Sequence, residues 1–160
     1  MNNHVILRFA LCLSVMVFTG TWAQNDETIL VVSSDDVETY WSNVNKVAPV
    51  YPNNSLRKSE QGCSAVGFII EPDGTTSNHR TIASFPANNF DKTSIEAAKQ
   101  FMYEPSVRNK DREAIFTTNT FIFHISKSKN HDEKMSKKLG EICTAAANKA
   151  LKFAPSGPDA

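Results

Sequence analysis

Two runs of apolar and β-branched residues, 63–70 and 75–84, flank a short polar break at Pro72-Asp73-Gly74. Proline presets the backbone angle φ at the second position of a turn, and glycine supplies a positive φ where the chain turns back. The break therefore predicts a β-hairpin. The first run has apolar or small residues on both faces and is predicted to be the more buried strand, whereas the second is polar and predicted to be partly exposed.

A helix-forming stretch follows the hairpin at residues 92–103. It is rich in strong helix formers, and Ile95, Ala98 and Met102 recur at the spacing of one helical face. Asp91 precedes the stretch as a candidate N-cap. The pattern therefore predicts a helix over 92–103, which the Glu-Pro pair after it brings to an end.

The C-terminal half contains one long strand pattern and one more helix pattern. β-branched and aromatic residues dominate 114–125, which predicts a strand. Residues 135–153 have a helical composition with an apolar stripe, so this last helix is predicted to dock on the domain. The stripe consists of Leu139, Ile142, Cys143, Ala146 and Ala150.

The patterns that precede the hairpin are shorter. Residues 28–32 are β-like, and Asp35 with Glu38 resembles the start of a helix that runs through Tyr40 and Trp41. The two aromatic rings are predicted to pack on the domain, because aromatic side chains mostly form buried mass, and stacking on a ligand is the alternative.

Two prolines shape the stretch that leads into the hairpin. Pro49 and Pro52 keep the chain extended and prevent a helix across them. Pro52 also suits the first turn of a short helix at 53–59, which is predicted to direct Leu56 inward.

Composition adds that the chain is a globular protein of one domain's length. Hydrophobic residues make up 41% and charged residues 21% of its 160 residues, as in folded proteins. The 17 basic and 17 acidic side chains cancel. The net charge therefore gives no reason to expect nucleic acid or an anionic membrane as a partner, although it leaves room for a local charged patch.

The first 23 residues have the pattern of a cleavable signal peptide. Arg8 supplies a basic start, and residues 9–18 form an apolar core that is too short to span a bilayer. Thr21-Trp22-Ala23 then offers small residues at a cleavage site before Gln24. Export with cleavage is predicted, and an uncleaved membrane anchor is the alternative.

Export leaves two cysteines, Cys63 and Cys143, in the mature chain. Two cysteines that meet an oxidising compartment tend to pair. A disulfide is therefore predicted, and two separately buried thiols are the alternative.

The sequence contains no pattern typical of a catalytic or metal site. His79, His124 and His131 lack partners at metal-ligand spacing, and His124 is predicted to lie on a strand surface. There is no nucleophile elbow, phosphate-binding loop or His-Glu-x-x-His motif. We therefore predict neither an enzyme nor a bound cofactor or metal.

The order of these features resembles the TonB C-terminal domain family, within a wider group that includes TolA-type periplasmic domains. The shared order is Tyr-Pro, a short helix, Gly, a hairpin with Asp-Gly, a helix that starts at Phe-Asp and ends at Glu-Pro, and a long strand. The matching residues are Tyr51, Pro52, Gly62, Val66, Phe68, Ile70, Asp73, Gly74, Ser84, Pro86, Phe90, Asp91, Ala97, Ala98, Tyr103, Glu104, Pro105, Thr118, Phe121, Ile122 and Phe123.

The resemblance implies a two-layer α+β fold, with helices against a three-stranded antiparallel sheet, to which the last helix is an addition. It also implies a periplasmic protein that binds the TonB-box peptide of an outer-membrane receptor, or another periplasmic partner, as an added strand at 118–125. The residues expected to bind are Tyr51, Pro52, Thr118, Asn119, Thr120, Phe121, Ile122 and Phe123.

The chain departs from the family both outside this domain and at one position within it. An energy transducer of the family has an uncleaved membrane helix and a long proline-rich spacer, and Phe101 stands where a tryptophan is common. The alternative function is a structural envelope protein whose sheet edge is capped by the last helix or paired in a homodimer. The predicted division is 1–23 signal peptide, 24–47 N-terminal segment, 48–126 TonB C-terminal-like domain, 127–153 helical extension and 154–160 tail.

Overall fold

A computed structural model describes residues 29–125 and 129–152, with side chains from residue 133 onward in the second range. The predicted signal peptide at 1–23 and the tail at 154–160 lie outside these ranges, as does the side chain of His131. The described residues form an α+β fold in which helices cover a curved sheet, so the predicted fold class is confirmed.

The predicted hairpin is the centre of the main sheet. Strands β3 (Gly62–Ile70) and β4 (Thr76–Phe85) pair antiparallel, and every residue of β3 is buried while β4 is only partly so. The turn closes with a 2.8 Å hydrogen bond from the Gly74 N–H to the Glu71 carbonyl, and Gly74 has the positive φ of 84° that glycine adopts at low cost. The turn prediction is confirmed.

A long strand, β6 (Ile115–Phe123), pairs antiparallel with β3 along its whole length. A short strand, β1 (Leu30–Val31), lies parallel to the start of β6 on its other side. The sheet order is therefore β1-β6-β3-β4. The predicted three-stranded antiparallel core is present, and the β-like run at 28–32 adds a fourth, parallel strand to it.

The helix predicted at 92–103 ends earlier than the sequence indicated. Helix α2 covers Asp91–Ala98 only, with Phe90 rather than Asp91 at the N-cap, and Met102–Pro105 forms strand β5. Strand β5 pairs with β2 (Trp41–Asn45), which is distant in the sequence. The prediction missed this strand because its partner leaves no trace in the local pattern.

The helix predicted to run through Tyr40 and Trp41 is also shorter. A 3₁₀ helix covers Val37–Thr39, it has Asp36 rather than Asp35 at its N-cap, and Trp41 already belongs to β2. The predicted packing of the two rings is confirmed, because Trp41 is fully buried and Tyr40 packs against the core. The Trp41 Nε1–H donates a 3.0 Å hydrogen bond to the Glu113 carbonyl.

The short helix after Pro52 is turned differently from the prediction. Helix α1 covers Asn53–Arg57, Leu56 is 49% exposed, and Ser55 is the buried position. A helix of little more than one turn buries one position, and here the Glu60 N–H bonds the Ser55 carbonyl at 2.9 Å and holds that side against the domain. The predicted inward position of Leu56 is wrong.

The last helix, α3 (Lys129–Leu151), docks on the domain as predicted and is joined to it by the predicted disulfide, Cys63–Cys143. Because Cys143 points at the sheet, the positions one turn away on each side, Leu139 and Ala147, are buried with it. Ile142 lies about 100° around the helix from Cys143 and is 42% exposed, so the predicted stripe was partly wrong.

The sheet is thus covered on both faces. One face carries an aromatic core under α2 and β5, and the other face carries the smaller α3 contact. The predicted additional C-terminal helix forms a third layer, because α3 lies on the sheet face opposite the aromatic core. The aromatic core includes Trp41, Phe68, Phe90, Phe101, Tyr103, Phe121 and Phe123, and the α3 contact includes Cys63, Ala65, Leu139, Cys143 and Ala147.

Candidate functional site

The candidate site is the outer edge of strand β6, the edge that faces away from β3. Strand β1 covers only its first residues, and the last contact is a 2.9 Å hydrogen bond from the Val32 N–H to the Phe116 carbonyl. Within the described ranges, no strand pairs with this edge beyond that point. The second half of β6 therefore has an edge that no described strand pairs with, and exposure along it is uneven, since Thr118 is 4% and Ile122 is 39% exposed.

The backbone direction of each β6 residue follows from its pairing. The register with β3 runs without a bulge from Gly62↔Phe123 to Ile70↔Ile115, so consecutive residues point their N–H and C=O groups to opposite sides. Since Phe116 bonds outward to β1, the residues with outward groups are the even-numbered ones. Thr118, Thr120 and Ile122 therefore present outward N–H and C=O groups that meet no strand of the described chain.

This alternation divides the residues that the sequence analysis assigned to the site. Asn119, Phe121 and Phe123 turn their backbone groups toward β3, and Phe121 and Phe123 bury their rings in the aromatic core. They support the edge from within. Of the three outward residues, Thr120 and Ile122 are accessible to a partner strand, whereas Thr118 is buried at 4% exposure.

Tyr51, the other predicted contact, lies at the end of β6. Its ring packs edge-to-face on Phe123 at 5.5 Å and on Phe90 at 5.8 Å. Its hydroxyl donates a hydrogen bond to the Glu60 carbonyl, and burial, followed by the charge of Glu60, raises the pKa of Tyr51. The ring therefore joins the Tyr-Pro segment rigidly to the strand end, and Pro52 after it is the N-cap of α1.

Helix α3 lies beside this edge, on the sheet face opposite the aromatic core, and forms a wall along it. Its Thr144 hydroxyl donates to the Thr120 hydroxyl at 3.1 Å, and Ser136 is hydrogen bonded to His124 Nδ1 at 3.1 Å. Between them, a Cβ on Gly140 would lie 3.1 Å from Ile122 Cδ1. The helix therefore runs beside the edge, contacts the side chains of Thr120 and Ile122, and does not pair with the edge as a strand would.

The sequence analysis missed the three residues of this wall, Ser136, Gly140 and Thr144. Their signal is a spacing of four, which places small side chains on one side of a helix. That spacing has meaning only once the helix is known to lie along β6, and the sequence alone does not give its position.

The described ranges hold no cluster of residues suited to a metal ion, and none of their helices is long and apolar enough to cross a membrane. His124 is an exposed strand-end residue, in line with its predicted surface position. His79 bonds Thr76 Oγ1 at 2.9 Å, and its pKa is lowered mainly by burial and then by the nearby Lys99 charge.

Comparison with known proteins matches residues 47–125 to the family model described as the C-terminal part of the Gram-negative bacterial TonB protein. The solution structure of the Pseudomonas aeruginosa TonB C-terminal domain is 26% identical, covers 61% of this chain and 97% of its own, and has a TM-score of 0.49. The TonB2 protein of Vibrio anguillarum is 21% identical, covers 78% of this chain and 100% of its own, and has a TM-score of 0.43. No curated protein matches the sequence.

Proposed function

Because residues 47–125 belong to the TonB C-terminal domain family, we propose that the protein binds an extended peptide of an outer-membrane transporter or another envelope protein. Domains of this family have transport-associated, non-enzymatic roles, and in TonB proteins they interact with outer-membrane transporters. The family implies a periplasmic or envelope-associated location. The protein would assist TonB-dependent transport by recognising a peptide of the TonB-box type.

The observation that carries the proposal is the edge of β6 that no described strand pairs with. Thr118, Thr120 and Ile122 turn their N–H and C=O groups away from β3, and no strand of the described chain pairs with them. A peptide laid beside them would satisfy these groups by hydrogen bonds in the manner of an added strand. The partly exposed Ile122 side chain adds an apolar contact next to the edge.

A second candidate function is a structural envelope protein, in which the same edge pairs with a second copy of the chain. The observation that favours it is β1, because a segment of this chain already uses the start of the edge and shortens what remains for a peptide. An uncovered strand edge also favours pairing between identical chains. The two functions differ in what lies beside Thr120.

The test of strand addition is the substitution Thr120→Pro. Proline removes the outward N–H and adds ring atoms to the edge where the peptide would lie. We expect the affinity for a fluorescently labelled TonB-box peptide, measured by anisotropy, to fall about tenfold or more, because one hydrogen bond contributes about 1 kcal/mol and the peptide group facing proline is left unpaired.

The matched control is Thr120→Ala, which also loses the hydroxyl bond to Thr144 but keeps the N–H. It should bind the peptide within about threefold of the wild type. Equal binding by the proline and alanine variants, with both folded by thermal unfolding, would contradict strand addition at this edge. A wild-type dimer in sedimentation that becomes a monomer in the proline variant, together with no peptide binding, would favour the structural function.

A further inference from the structure

The outer face of helix α3, which points away from the sheet, is basic. It carries four exposed lysines and one exposed glutamate, with alanines between them and Ile142 at one side of the face. Its members are Lys134, Lys138, Glu141, Ile142, Ala145, Ala146, Lys149 and Lys152, all exposed. The peptide-binding edge uses other positions of the helix, so this face is a separate surface.

The spacing of the lysines places them on one line. They are separated by 4, 11 and 3 residues, which are each close to a whole number of helical turns. The stripe from Lys134 to Lys152 is about 27 Å long at the helical rise per residue. Ile142, 42% exposed, lies beside the stripe, about halfway along its length. The result is a basic surface along the helix with an apolar side chain at one side of it.

The orientation of this face is fixed by the opposite side of the helix. Leu139, Cys143 and Ala147 are buried against the sheet, and the disulfide from Cys143 to Cys63 prevents α3 from rolling. None of the four lysines forms an ion pair with another residue of the described ranges. Their charges therefore remain available to a partner.

The charge of this face is hidden by the neutral total of the chain. Residues 29–125 contain nine basic and eleven acidic side chains, whereas residues 133–152 contain five lysines and two glutamates. The domain is therefore slightly negative and the helix is positive. A positive helix on a slightly negative domain orients the whole molecule in the field of an anionic surface.

We propose that the outer face of α3 docks on the surface of an anionic lipid bilayer. Lysine stems lie along apolar surface and keep their ammonium groups at the headgroups, while Ile142 reaches the boundary of the acyl chains. A stripe this long and straight matches a flat surface better than a concave one. Because the edge of β6 borders a different side of α3, the docked protein keeps that edge free.

The test compares the exported chain, purified from a periplasmic fraction with its disulfide intact, with a variant in which Lys134, Lys138, Lys149 and Lys152 are changed to glutamine. Binding is measured by co-sedimentation with vesicles of phosphatidylcholine and of phosphatidylcholine mixed with phosphatidylglycerol. A basic residue near an anionic surface contributes about fivefold in partitioning, so the variant should lose roughly a few hundredfold on anionic vesicles. Added salt should weaken wild-type binding, since it screens the attraction.

The matched control changes Lys46, Lys58, Lys92 and Lys110 to glutamine. These four lysines are also exposed but lie on the domain, so the control loses the same charge without touching α3. It should keep most of the anionic-vesicle binding. The Ile142→Ser variant distinguishes binding to a lipid surface from binding to other anions. It should lower vesicle binding several-fold and leave binding to soluble polyglutamate unchanged.

Two outcomes would overturn the proposal. In the first, the α3 variant and the control lose vesicle binding equally, which would reduce the effect to net charge. In the second, the wild type binds polyglutamate in a lysine-dependent manner but does not sediment with anionic vesicles, which would make an acidic protein the partner. Neither outcome depends on peptide binding at β6, so this test and the Thr120→Pro test can fail separately.

Discussion

The Cys63–Cys143 disulfide should hold helix α3 on the sheet, and its removal tests that reasoning. The perturbation is the double substitution Cys63→Ala and Cys143→Ala. Alanine suits both positions because the two cysteines are buried, at 0% and 1% exposure, and alanine introduces no polar group into the contact between α3 and β3.

The magnitude follows from the loop that the bond closes. The two cysteines are 80 residues apart, for which the chain-entropy model gives about 4.5 kcal/mol. Loss of two buried sulfurs adds the cost of two small voids, while strain or residual structure in the unfolded chain lowers the total. We expect the free energy of unfolding to fall by about 3–5 kcal/mol.

The loss should also be uneven along the chain. Without the bond, α3 is held mainly by Leu139, Ala147 and the partly buried Met135, which pack with Ala65, Ile82 and Ala83 of β3 and β4. The aromatic core on the other face is unchanged. Amide hydrogen exchange should therefore become fast throughout α3, while the amides of β3 and the amides of β6 that bond to β3 stay protected up to global unfolding.

The assay is urea unfolding combined with amide exchange, on the wild type with and without reductant and on the double variant. Ile142→Ala is the matched control within α3, since Ile142 is partly exposed and its truncation should cost less than about 1 kcal/mol. An unfolding free energy within about 1 kcal/mol of the wild type, together with undiminished protection in α3, would refute the reasoning and show that side-chain packing alone secures the helix.

Two further predictions concern the turn and the aromatic core. Gly74→Ala should destabilise the domain by about 3 kcal/mol or more in urea unfolding, because Gly74 has a φ of 84° and an added Cβ would lie 2.0 Å from the Tyr103 carbonyl oxygen. Gly140→Ala, which meets only the end of the Ile122 side chain, should be neutral or stabilise by up to about 1 kcal/mol, and equal losses for the two variants would contradict this. Burial raises the pKa of Tyr103 to about 12. The contribution of the neutral side chain to the free energy of unfolding is therefore complete below the unfolded pKa near 10, and it is lost as the pH rises toward 12, by at most about 2.7 kcal/mol. Tyr103→Phe should flatten that part of the stability-against-pH curve, and an unchanged slope would show that other groups cause it.

The parts of the fold that the sequence predicted well have local causes. The hairpin was predicted because Pro72, Asp73 and Gly74 specify its turn within a few residues. Strand β6 was predicted because β-branched and aromatic side chains dominate it. The site was located on β6 through resemblance to a family, but the residue pattern did not separate Thr118, Thr120 and Ile122 from the residues between them.

The parts that the sequence predicted poorly have distant causes. Residues 99–103 continue a helical pattern, yet Phe101 turns into the core, and Tyr103 donates a 2.9 Å hydrogen bond to the Gly74 carbonyl. Strand pairing with β2 outweighs helix propensity there, because propensity amounts to tenths of a kcal/mol per residue. The buried side of α3 was predicted only in part, since Cys63 on another strand sets its rotation.

The sequence by itself determined the turn, the main strands, the presence of the last helix and the pair of cysteines, because each depends on residues close together in the chain or on the compartment. Only the tertiary structure decided which backbone groups of β6 are free, since that depends on where β3 and β1 bond the strand. It also decided that four lysines face outward together, because the rotation of α3 is set by the side that packs on the sheet.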